Sequence, residues 1–113
     1  MVNELDATFA ALAEPTRRRV IELLRERPRR ASDLAAGAGT SGPAMSRHLR
    51  VLRNSGLVQE ERLAQDARVH VYRLCREPFT SLGAWLDQVQ AFWTDQLDAY
   101  RTHIEQTRGG GSQ

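Results

Sequence analysis

Eight apolar residues, Phe79, Leu82, Leu86, Val89, Trp93, Leu97, Tyr100 and Ile104, follow one another at intervals of three or four. That spacing keeps every member on one face of an α-helix, so it predicts a helix from Glu77 to about Thr107. Trp85 and Phe92 widen the stripe on one side. A helix of about thirty residues is roughly 45 Å long, longer than the body of a 113-residue chain can cover. The seam therefore predicts a partner, most simply the same helix in a second copy of the chain.

The residues before it change period twice. Asn3 suits the N-cap of a first helix with Leu5, Phe9 and Leu12 on one face, and Pro15 suits the first turn of a second carrying Val20, Ile21, Leu23 and Leu24 until Pro28. Ser32 is expected to cap a short third helix that the Gly37–Gly39 stretch ends. Thr40 or Ser41 caps a fourth, whose buried stripe is Met45, Leu49 and Leu52 and whose end is Gly56. Leu57–Leu63 and Arg68–Leu74 then alternate in period two and read as a hairpin with Ala64–Ala67 at its tip. The fold class is mainly α with a small β-hairpin, in the order α-α-α-α-β-β-α. Residues 1–108 are expected to form one domain and 109–113 a flexible tail.

Charge is distributed unevenly. The formal net charge is only +2, yet residues 34–59 contain no Asp or Glu although 27% of the chain is charged. Arginines exceed carboxylates by three in residues 40–74, by one before them, and fall two short after them. All sixteen basic residues are Arg, which genomic base composition explains better than phosphate binding does. The run Arg17-Arg18-Arg19 spreads around a helix rather than forming a patch, with Glu22 and Glu26 as candidate partners. The chain is expected to carry neither a signal peptide nor a membrane span, and the single Cys75 fits a reducing, cytoplasmic setting.

The third and fourth helices, joined by a Gly-containing turn with a cap residue opening the second, follow helix-turn-helix grammar. The hairpin behind them makes it a winged helix-turn-helix. Gly42, Pro43, Ser46, Arg47 and Arg50 fall away from the apolar stripe, near the end that enters the major groove in this motif. Small residues at Gly42 and Pro43 allow close approach, and Ser41 and Ser46 offer hydroxyls to phosphate or base edges. Arg47 can reach a guanine edge or the backbone; Arg50 and Arg53 are better placed for phosphate. Arg68, and with it Arg62, would lie over the neighbouring backbone or minor groove. For Arg53 and Arg73 an ordinary solvated position is an equal reading.

Three segments, Phe9–Leu24, Ser41–Val58 and Val71–Leu74, resemble the arsenic-repressor (ArsR) family of winged helix-turn-helix regulators, and the resemblance spans roughly residues 5–104. It implies a homodimer built on the first and last helices and binding a short inverted repeat in double-stranded DNA. The interface would draw on Leu5, Phe9, Leu86, Val89, Trp93, Leu97 and Tyr100. It also implies that Ser41, Gly42, Pro43, Ser46, Arg47 and Arg68 face DNA. The family's hairpin tip commonly contains Gly, whereas Leu63–Ala67 has none, which leaves the path of the wing and the contacts of Arg68 open.

Sensor residues are sparse. The helix before the recognition helix has no Cys, and Cys75 alone builds no soft-metal site. On the last helix Asp87, Asp95, Asp98, His103 and Glu105 are read as surface residues, with an interchain metal site using His103 and Asp98 or Glu105 as the alternative. His48 and His70 read as structural or DNA-proximal. No metal, cofactor or catalytic residue is assigned: the chain lacks a phosphate loop, a nucleophile elbow and a ligand cluster. The reading is a dimeric transcriptional regulator, a repressor in its output, with a metal-responsive regulator and a helical protein-interaction module as alternatives. The operator, the regulated genes, the effector and the choice between repression and activation are not encoded in any motif.

Overall fold

The computed structural model describes residues 3–111. Its elements are α1 (Glu4–Leu12), α2 (Pro15–Glu26), α3 (Ala31–Ala38), α4 (Gly42–Asn54), β1 (Val58–Arg62), β2 (His70–Leu74) and α5 (Arg76–Gly111). They fall into two units, one ending at Ser81 and the other starting at Leu82.

In the first unit α1, α2 and α4 each start where a side chain or proline can satisfy the opening turn. Asn3 accepts a hydrogen bond from the Leu5 amide at 2.9 Å, and Glu14 accepts one from Arg17 at 3.0 Å with Pro15 behind it. The Ser41 hydroxyl accepts one from Ala44 at 3.2 Å. The third helix departs from expectation. It begins one residue before Ser32, has no side-chain cap, and runs through Gly37 to stop at Gly39, whose φ of 67° is left-handed. Gly37 survives inside the helix because α3 packs closely on α2: a Cβ there would sit 2.8 Å from Leu23 Cδ1.

The core joins these helices to the hairpin. Val20, Leu34, Met45, Leu49, Leu52 and Leu57 are all but fully buried. On α1 the expected Leu5, Phe9, Leu12 face is displaced: Thr8 and Ala11 are the buried residues, Leu5 and Leu12 are half-buried, and Phe9 is exposed. The small side chains let α1 lie close to its neighbours, and Thr8 satisfies its hydroxyl by donating to the Glu4 carbonyl at 3.2 Å.

The two strands pair antiparallel from Val58 opposite Leu74 to Arg62 opposite His70. A third segment, illegible in the sequence, joins the free edge of β2. Arg29 and Tyr72 exchange backbone hydrogen bonds of 3.1 and 2.8 Å, so the α2–α3 connection braces the wing.

In the second unit, described by itself, α5 carries Trp85, Leu86, Phe92, Trp93, Leu97 and Tyr100, with exposures rising from 39% at Trp85 to 65% at Tyr100. Val89 and Ile104 are half-buried, and Phe92 meets Trp93 edge-on at 5.7 Å. The helix runs to Gly111, past the Thr107 at which its apolar period ends, and residues 112–113 lie outside the described residues. Among the described residues no helix is long and apolar enough to cross a membrane.

Leu34 is the anchor of α3 in the core. Leu34→Ala is expected to lower stability by about 2–5 kcal/mol, read as a shift of the urea midpoint at fixed protein concentration. An unchanged midpoint would show that α3 is not held by this contact.

Candidate nucleic-acid interface

Burial of Met45, Leu49 and Leu52 decides which way the rest of α4 faces. Pro43, Ser46, Arg47, Arg50 and Arg53 lie three and four residues apart on the other side, and all are exposed. Nothing lies within 4 Å of where a Gly42 Cβ would be, so the entry to the helix is open from outside. The first turn contains no acidic residue. Its unpaired amides and the positive end of the helix dipole favour an anion there, and the capping Ser41 oxygen keeps its own proton for an outside acceptor.

The arginines on this face are not equivalent. Arg47 and Arg50 make no hydrogen bond or ion pair among the described residues. The absence of carboxylates from residues 34–59 explains why: no acid stands within a turn of either. Arg53, in contrast, reaches off the helix and donates to Glu60 on β1 at 3.0 Å. Arg73 lies 3.6 Å from Glu61. Arg62 carries no such partner.

The wing tip turns without glycine because Asp66 takes over the work. Its carbonyl accepts from the Val69 amide at 3.0 Å, and its carboxylate accepts from the Arg68 amide at 3.0 Å, closing an Asx turn. The same carboxylate holds the Arg68 guanidinium through Nε at 3.1 Å and a second nitrogen at 3.2 Å. These side-chain and backbone bonds from Arg68, with a weaker pull from Arg30, hold Asp66 below the usual carboxylate range against some desolvation.

Two other expectations resolve structurally. Arg17 and Arg18 do not pair with Glu22 and Glu26, which are taken by Arg25 and Arg29 at 2.9 and 2.6 Å. They cap the C-terminus of α1 instead. Arg17 donates to Ala11 and Ala10 at 2.7 and 3.2 Å, and Arg18 to Leu12 and Ala13 at 2.8 and 3.1 Å. His48 is half-buried, its Nδ1 3.4 Å from Arg17 and 3.7 Å from Glu14. Desolvation pushes the Glu14 carboxyl up, but the Arg17 amide, His48 and Thr16 together carry it below its ordinary value. His48 thus pins α4 to the α1–α2 corner.

Beside that corner, α1, α2 and α4 border an open groove of about 310 Å³ lined mainly by Ala7, Ala10, Ala11 and Val51. Cys75 closes the hairpin, its amide donating to Leu57 at 2.9 Å; desolvation, and then Glu77, push its thiol up from its ordinary value. Among the described residues no three His, Cys, Asp or Glu side chains gather to hold a metal ion.

Residues 14–60, from the cap of α2 into β1, match the bacterial regulatory protein, arsR family. Over 100 residues, 88% of each chain, the sequence is 38% identical to the HTH-type transcriptional regulator Rv2034 of Mycobacterium tuberculosis. The chain belongs to the ArsR family of transcriptional regulators. It is therefore a regulator and not an enzyme. An ArsR-like regulator from Rhodococcus sp. RHA1 superposes with a TM-score of 0.74 at 28% identity, covering 90% of this chain and 91% of that one. The homodimeric winged helix-turn-helix DNA-binding domain of Mb0332 from Mycobacterium bovis, a possible ArsR-family regulator, superposes with a TM-score of 0.61 at 25% identity, covering 78% and 79%.

The depressed Asp66 carboxyl has a consequence for pH. Its tether to Arg68 is complete above the ordinary Asp value of 3.8 and is lost only as pH falls through the lower folded value. The amide NMR signal of Arg68 is expected to titrate with its midpoint below 3.8. A midpoint at or above 3.8 would contradict the tether.

Proposed function

We propose that this regulator acts in the cytoplasm as a homodimeric repressor that reads an inverted repeat with paired α4 helices. The observation that carries the reading is the pair Arg47 and Arg50, exposed and without side-chain partners among the described residues, beside an acid-free helix N-terminus. Guanidinium groups left without a carboxylate in the folded chain are available to phosphate and guanine at no cost in internal ion pairs. Ser41, Gly42, Pro43 and Ser46 surround them and offer close approach and hydroxyls. Arg68 stands at the wing tip, where phosphate would replace its solvent-exposed pair with Asp66.

Dimerisation rests on the exposed apolar side chains of α5, Leu86, Trp93, Leu97 and Tyr100 with Val89, joined by Leu5 and Phe9 of α1. Apolar surface of that extent is uncommon on a monomer. Two copies related by a twofold axis would place their recognition helices in successive major grooves, about 34 Å apart. Repression follows from exclusion: a dimer seated across a promoter competes with the transcription machinery for the same DNA and needs no further surface.

Fluorescence anisotropy with DNA from upstream of the gene, against random DNA of equal length, is the direct test. Specific binding that weakens steeply with salt is expected; equal affinity for both DNAs would end the reading. Arg47→Ala should cost about 1–3 kcal/mol and relax discrimination at one position of each half-site. For the dimer, Trp93→Glu is expected to sediment as a monomer at concentrations where the parent is a dimer.

A further inference from the structure

The side of Glu60 facing α4 gathers three donors from two elements. Its Oε2 accepts from Arg53 at 3.0 Å and from the Tyr72 hydroxyl at 3.3 Å, and its Oε1 lies 2.5 Å from His70 Nδ1. Glu60 stands directly opposite Tyr72 in the hairpin, and His70 is two residues further along the same strand, so all three share one face of the wing. The hub is partly shielded: the Glu60 side chain is 23% exposed. Desolvation, and then the adjacent Glu60 charge, raise the Tyr72 hydroxyl above its ordinary value, so it stays a donor. Tyr72 is also the residue whose backbone is bonded to Arg29.

We propose that Glu60 is a positioning residue which uses Arg53 to set the tilt of the wing against the recognition helix, and that Arg53 is a tether and not a phosphate contact. This deepens the DNA-binding reading above and rests on it. Arg53 occupies the last turn of α4, three residues beyond Arg50 on the same face, so helical spacing alone places both over the DNA backbone. The structure separates them: Arg50 has no side-chain partner among the described residues, whereas Arg53 is already paired with a carboxylate that two other groups hold in place. Releasing Arg53 to a phosphate would leave the Glu60 charge against His70 and Tyr72 alone and would free the wing from α4.

Counterion release tells the two roles apart, because each phosphate neutralised contributes about −0.9 to the slope of log affinity against log salt. For Arg50→Ala the slope should become shallower by about 0.9. For Arg53→Gln and Glu60→Gln the slope should match the parent while affinity falls about two- to fivefold, and the double variant should lose no more than either alone. Arg53→Lys, which keeps one donor, should recover part of the loss. A slope for Arg53→Gln that shallows as it does for Arg50→Ala would overturn the proposal, as would tighter binding by Glu60→Gln. Amide hydrogen exchange on the free protein gives an independent readout: Glu60→Gln and Arg53→Gln should both accelerate exchange in β1 and β2 and spare α2. Unchanged exchange in the hairpin would also overturn it. If the parent itself fails to distinguish upstream DNA from random DNA, the regulatory reading fails, and the exchange result still judges the hub.

Discussion

With Met45, Leu49 and Leu52 in the core, α4 has no freedom to turn about its own axis. A rotation by one residue, about 100°, would carry Ser46, Arg50 and Arg53 inward and bury guanidinium groups away from any carboxylate of the helix. The penalty for an unpaired buried charge is far larger than any gain the surface could return. The direction of Arg47 and Arg50 is therefore a by-product of packing. Everything around α4 reinforces that register. Ser41 fixes where the helix starts, His48 ties its middle to the α1–α2 corner, and Arg53 ties its end to β1.

How much of this was readable beforehand depended on whether the cause was local. The Ser41 cap, the apolar stripe of α4, the left-handed glycine after it and the alternation of the strands are short-range patterns, and each has a counterpart in the structure. Most of the failures are long-range. Ser32 looks like a cap, but α3 starts one residue before it and continues through Gly37, which lies close against Leu23 of α2. Arg17 and Arg18 face carbonyls of the preceding helix that no pattern within α2 discloses. The partner of Arg53 lies seven residues on, beyond the helix, and the pairing of Arg29 with Tyr72 crosses forty-three positions. The tip of the wing lies between these cases: Asp66 is a local device, overlooked because glycine was the expected one.

The described chain divides its charge and its apolar surface between two jobs. Unpaired arginines stand on α4 in the first unit, and uncovered aromatics stand on α5 in the second. Elsewhere in the first unit some guanidinium groups are paired with acids one turn away, Arg25 with Glu22 and Arg29 with Glu26. The acid-free stretch therefore works by subtraction: it withholds the partners that would otherwise occupy Arg47 and Arg50.

The brace between Arg29 and Tyr72 has one more effect, on what the hairpin can do with other molecules. It occupies the outer edge of β2, which leaves only the outer edge of β1 without a strand partner among the described residues. That edge reads Val58-Gln59-Glu60-Glu61-Arg62. An incoming strand would have to settle beside two adjacent carboxylates, and a second copy in antiparallel register would set acid against acid. Edge-to-edge pairing of hairpins into a continuous sheet is thereby disfavoured at the one strand edge that stands open among the described residues.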